Sequence, residues 1–183
     1  MPIRRALNTA AEADGIAACV SAMYDYLRAR DALSEGVSNW TRGTVVAWRQ
    51  AGYEAFVYAN SNAAGRIDGV CIYGRENHIR QPSIVPEPWM AVKVLAVRAD
   101  LIPDDQHEVN TLRALKLAVP DGLTRLGCVG VMAMYHQRWQ RLHDFLATWP
   151  TAEFELLERD ERCWIRAQPG TPAFNERVAG VSG

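Results

Sequence analysis

The chain has 183 residues, 49% apolar and 22% charged, a globular balance that excludes disorder over most of its length and gives room for one sizeable core. Twenty lysines and arginines against 21 aspartates and glutamates leave a net charge of -1. No global positive field is therefore present to gather a phosphate backbone, which disfavours nucleic acid as a partner. No run approaches the roughly eighteen apolar residues of a membrane span, and the opening MPIRRALNTAAEADG has acids where a signal peptide is apolar, so a soluble cytoplasmic protein without a membrane partner is expected.

Ile3 to Leu7 can form a short first strand, after which Thr9 and Glu12 have the spacing of a capping box and announce a helix. Ile16, Cys19 or Val20, Met23 and Leu27 recur at helical intervals and give it one apolar stripe, fit to pack on a sheet. Thr41 to Gln50, with Trp40 and Trp48 for bulk, predicts a second helix that Gly52 stops. From Glu54 the period shortens toward 2. Ala55 to Ala59 and Ile67 to Tyr73 are then strands of a hairpin around Asn60 to Gly65.

Gly74 to Pro88 contains Pro82, Pro86 and Pro88 among charged residues and predicts a surface loop. Trp89 to Val97 is almost continuously apolar, as in a strand covered on both faces. Pro103, Asp104 and Asp105 open a helix with Val109, Leu112, Leu115 and Val119 on one arc, and Pro120 ends it. Cys128 to Met134 then predicts a strand, Gln137 to Leu146 a helix, and Ala152 to Leu157 with Cys163 to Ala167 a closing hairpin. Residues 1–167 thus make one domain, and 168–183, poor in periodicity, a loose tail.

Cys19, Cys71, Cys128 and Cys163 form no CxxC pair, so they read as small buried residues, although their even count permits two disulfides, and no metal site is expected. GxSxG, HExxH and P-loop motifs are absent, which leaves hydrolase, metalloprotease and NTPase readings without support. The six tryptophans and six tyrosines can fill a core or stack on a ligand. Arg75, His78 and Arg80, with Arg98, can form a small patch for a phosphate or an acidic partner.

The order of elements is α/β in the α+β sense: a mixed, mostly antiparallel sheet of six to seven strands flanked by helices. That order, over residues 3 to 167, resembles the GNAT superfamily of N-acetyltransferases. The resemblance matches Val92 to Val97 to the strand whose backbone takes the pantetheine arm of acetyl-CoA. It implies acetyl-CoA as cofactor, with Val94, Leu95, Ala96, Val97 and Arg98 in its site. After Arg98 the family pattern has a glycine-rich pyrophosphate loop, whose backbone amides approach the phosphates. Here the run is Arg98-Ala99-Asp100-Leu101-Ile102-Pro103-Asp104-Asp105, and no glycine stands between Gly74 and Gly122.

The segment from Tyr135 to Trp149 looks like the family's helix after the fifth strand. In that register His136 replaces an asparagine near the cofactor, Trp139 a small residue, and His143 the tyrosine that protonates the departing thiolate. An imidazole can give that proton, so His143 is the candidate acid, or else a half-buried histidine bonded to backbone. His136 is a ligand contact or a helix cap. Attack by an amine also requires a base, for which Glu54, Glu76 and Glu87 are candidates, Glu76 first because it follows the third strand. Each also reads as a solvated surface carboxylate.

Two functions of different class follow. One is an acyltransferase, a divergent N-acetyltransferase moving an acetyl or acyl group from acyl-CoA to an amine. The other is an inactive GNAT-fold structural or protein-interaction module, with a protein partner and no acetyl-CoA. A binder of some other small ligand is a third.

Overall fold

The computed structural model describes residues 3–31, 33, 36–59, 66–78, 87–98, 122–128, 130–136, 153–157 and 162–167. It is a mixed α/β fold with strand order β1-β2-β3-β4-β5-β7-β6. The chain divides into two compact units, Met1–Tyr73 with Val94–Ala118 and Gly74–Lys93 with Val119–Gly183.

In the first unit β1 (Ile3–Arg5) pairs antiparallel with β2 (Glu54–Ala59), and β2 with the first half of β3 (Ile67–His78). Strand alternation sets the two faces of this sheet. Arg4, Val57 and Val70 stand in one cross-strand row. The Arg4 guanidinium reaches Glu12 at 2.7 Å, which brings the first turn of α1 (Ala10–Arg28) over that face. The predicted stripe follows suit: Ile16, Cys19, Val20, Met23 and Leu27 are all buried. Each large aliphatic of this kind contributes about 1.5–3 kcal/mol by leaving water. On the opposite face Phe56 stacks on Tyr73 with ring centroids 5.3 Å apart.

The helix starts differ from expectation in an instructive way. Thr9 caps α1 by accepting from the Glu12 N–H, but the Glu12 side chain, drawn to Arg4, does not return to close a capping box. The complete box belongs to α2 (Arg42–Gln50), where Thr41 and Thr44 each accept from the other's backbone N–H at 3.3 Å. A Thr41→Ala variant should lose about 1 kcal/mol, read as a lower urea midpoint with unchanged slope. Gly52 ends α2 as foreseen, at a φ of +87° that side-chain-bearing residues rarely adopt.

Polar ties join α2 and its approach to α1. Ser21 Oγ accepts from the Trp40 N–H at 3.0 Å and donates to the Trp40 carbonyl at 3.2 Å. Arg42 grips both carboxylate oxygens of Asp14, with Nε at 2.8 Å from Oδ1. Trp40 stacks on Trp48 at 5.8 Å, and Trp48 meets Tyr53 edge-on at 4.6 Å.

The second unit holds the end of β3, the start of β4 (Glu87–Val97), and β5 (Gly130–His136), β6 (Glu153–Leu157) and β7 (Arg162–Ala167). β4 and β5 run parallel, Trp89 beside Gly130 through Val92 beside Ala133. Such a pair requires a crossover, and residues 122–126, between the two strands, are helical. β5 pairs antiparallel with β7, and the closing hairpin forms as predicted, β6 against β7.

The expected loop from Gly74 to Pro88 gives way to strand at both of its ends. β3 runs to His78 and β4 begins at Glu87. Arg75 and Glu76 are compatible with a strand because Glu76 meets Lys93 of β4 in a 2.5 Å ion pair. Pro88 sits at the start of its strand, where a missing N–H is tolerated. Two other boundaries move. The first strand ends at Arg5, short of Leu7, and β5 spans Gly130–His136, two residues later than foreseen. The helices predicted after Pro103 and from Gln137, and the tail from Gln168, lie outside the described residues.

Candidate functional site

The residues that the resemblance assigns to acetyl-CoA fall on the second half of β4. The registered β4–β5 pairs end at Val92 and Ala133, while β4 continues to Val97. Val94, Ala96 and Val97 are buried and Leu95 is half-buried. Their side chains are taken up by the interior, so this stretch would meet a ligand through its main chain. The Cys19 thiol lies 3.9 Å from the Ala96 carbonyl, a weak contact that ties α1 to the strand. Arg98, half-buried just past β4, donates its N–H to the Asp68 carbonyl at 2.8 Å.

The candidate bases have different surroundings. Glu76 lies within β3 rather than after it, paired with Lys93, both side chains about one-third exposed. At that exposure the pair itself contributes little, about 0–1 kcal/mol. Glu54 opens β2 and accepts from the buried Tyr73 hydroxyl at 3.1 Å. Of Glu87 the structure describes the backbone at the start of β4. His136 ends β5, opposite Arg162 in the β7 register, and the helix it is expected to cap or precede lies outside the described residues. His143 and Arg80 lie outside the described residues, and His78 is described as backbone only. Arg75 is exposed.

Protonation is perturbed by burial away from these positions. The Cys71 thiol on β3, fully enclosed, is pushed up to about 12. Burial also raises the Cys128 thiol, against the pull of Arg75. Thiols held protonated in this way are poor nucleophiles. Cys19, Cys71 and Cys128 are free. Among the described residues no group of three histidine, cysteine or carboxylate side chains could hold a metal, and no helix is long and apolar enough to cross a membrane.

The pair that sequence reasoning missed is Arg66 with Asp68. The Asp68 carboxylate is wholly buried and takes both Arg66 Nε at 2.7 Å and Nη2 at 3.1 Å. Opposite charges two apart at the start of a strand usually mark a solvated face, and only the burial of residues 67–74 reveals otherwise.

The fold that these strands and helices build is that of the GNAT acetyltransferases. It superposes on the GNAT domain of S. lividans PAT with a TM-score of 0.64 at 9% identity, over 91% of this chain and 89% of that one. It resembles yncA from Salmonella typhimurium, solved with its cofactor acetyl-CoA, with a TM-score of 0.60 at 11% identity over 93% and 95% of the two chains. The ribosomal-protein-alanine N-acetyltransferase from Brucella melitensis gives 0.60 at 10% identity over 92% and 99%. No protein-family model and no curated protein matches the sequence. The likeness is therefore one of fold, and chemistry has to be argued from the residues.

Proposed function

We propose that the protein is an acyltransferase that moves an acetyl or acyl group from acyl-CoA to an amine. The observation that carries this reading is β4 itself, which runs on to Val97 past its last registered β5 pair with its side chains packed inward. The main-chain N–H and C=O groups of Val94 to Val97 suit the amides of a pantetheine arm, and Arg98 supplies a positive charge at the strand's exit. Acyl-CoA, when bound, supplies the acyl group as a thioester.

This chain's residues have three tasks. Val94, Leu95, Ala96 and Val97 orient the arm, with Arg98 toward the phosphate end, and His136 is a further ligand contact. Glu76 takes the proton that the amine must lose before it can attack, since an ammonium has no free electron pair. His143 returns a proton to the leaving thiolate. The free thiols of Cys19, Cys71 and Cys128 suit the reducing cytoplasm, where we place the protein.

A specific feature favours a second reading, an inactive GNAT-fold module with a protein partner. The sequence has no glycine between Gly74 and Gly122 and sets Asp100, Asp104 and Asp105 where the family loop meets phosphates. Carboxylates there would repel the ligand. Calorimetry with acetyl-CoA separates the two readings. Saturable micromolar binding is expected, retained in His143→Ala while turnover falls by about a hundredfold or more, the typical worth of a general acid. No heat and no thermal shift at millimolar acetyl-CoA would overturn the acyltransferase and leave the module.

A further inference from the structure

Glu12 and Asp68 are the buried charged residues among those described. Glu12 meets Arg4 beneath α1 and holds the first strand to the first helix. Asp68 stands on β3. It lies between Ile67 and Val70, both buried, in the apolar first half of β3, before Arg75 and Glu76. Its carboxylate has no exposure and both its oxygens meet one guanidinium, that of Arg66, which stands just before the strand. Stripping water from such a pair is costly, and an apolar pair of similar size often serves stability as well or better. Stability alone is a weak reason for its presence.

What the pair does hold is the peptide of Asp68. Its carbonyl accepts the Arg98 N–H at 2.8 Å, one residue past the end of β4. A bidentate contact fixes orientation as well as distance. Arg66, Asp68 and Arg98 therefore form a chain of contacts within one compact unit, from a side-chain clamp to the main chain that leaves β4.

We propose that Asp68 is a positioning residue for Arg98. The Arg66 clamp immobilises the Asp68 peptide, and its carbonyl sets the direction of the main chain at the exit of β4, as the phosphate end of an acyl-CoA requires. The ligand part of this inference rests on the acyltransferase reading; the anchoring of Arg98 does not.

Two variants and two measurements test it. Asp68→Asn keeps the shape and removes the charge, while Arg66→Met with Asp68→Leu replaces the pair by apolar groups. In Asp68→Asn, amide exchange at Arg98 should quicken about tenfold beyond any change at Val57, a reference for global opening. Acetyl-CoA affinity should fall by about tenfold, the scale on which misplacement of a binding group is felt. The double variant should regain the wild-type melting temperature without regaining Arg98 protection or affinity. Protection and affinity that simply track melting temperature would overturn the proposal, as would wild-type values in the double variant, which also decides the matter if Asp68→Asn does not fold. If the wild-type protein itself binds no acetyl-CoA, the acyltransferase reading falls and Arg98 exchange alone judges the anchor: a selective rise upholds it and an unchanged rate overturns it.

Discussion

Alanine at position 89 is expected to remove about 3–5 kcal/mol of stability, the usual cost of deleting a buried indole. Trp89 is 1% exposed and stands near the start of β4, opposite Gly130 of the parallel strand β5. Glycine offers no side chain to expand into the space, and the neighbouring Met90 and Ala91 are already buried. The cavity should therefore persist instead of collapsing. Domains of this kind are stable by only about 5–15 kcal/mol, so the loss should show as a large fall in the urea midpoint at unchanged slope. Trp89→Phe should recover much of it. A change below about 1 kcal/mol in the alanine variant would mean that the indole is not packed as described.

The second large effect is a loss of stability at alkaline pH that comes from Cys71. In the unfolded chain this thiol ionises near 9.0, whereas in the folded protein it keeps its proton to about 12. Above the lower value the unfolded state binds fewer protons, so stability falls as pH rises, by up to about 1.4 kcal/mol per pH unit. Summed to the folded value, the loss approaches about 4 kcal/mol. Tyr24, raised mainly by burial and partly offset by its hydrogen bond with Trp40, pulls the same way once unfolded tyrosines ionise near 10.0. Between 9 and 10 the tyrosine contributes least while Cys128, also raised by burial, pulls the same way, so the comparison with a Cys71 variant isolates this thiol. Denaturation at pH 8, 9 and 10 should give a steeper decline for the wild type than for Cys71→Val, and equal slopes would refute the assignment. The same burial should protect Cys71 from alkylation at neutral pH.

Much of the fold is legible in the sequence because its signals are periodic. The stripe Ile16, Cys19, Val20, Met23 and Leu27 describes α1, and the apolar run to Val97 describes a covered strand. What the sequence hides are decisions made by partners distant along the chain. Arg75 and Glu76 look like loop residues until Lys93 is brought across from β4. Glu12 looks like the second half of a capping box until Arg4 competes for it. Asp68 looks solvated until the sheet closes around it.

The candidate site is harder to read for a further reason. The role proposed for Val94 to Val97 is one of peptide groups, which leaves almost no trace in side-chain identity, so these residues read as ordinary core. The family's glycine signature would have been the visible part, and this chain lacks it. His143, proposed as the acid, is recognised by register alone, and only turnover measured on the His143→Ala variant gives that register chemical meaning.

The aromatic file Trp40, Trp48 and Tyr53 has a spectroscopic consequence. Two indoles stacked 5.8 Å apart at 18°, with a phenol edge-on at 4.6 Å from the second, lie close enough for their ultraviolet transitions to couple and for Tyr53 to pass its excitation to Trp48. The docking of α2 on α1 therefore carries its own optical signature, a near-ultraviolet dichroism that Trp48→Phe would abolish. Trp89 lies in the other compact unit. Light thus provides separate reporters, by which the unfolding of each unit can be followed without attaching any label.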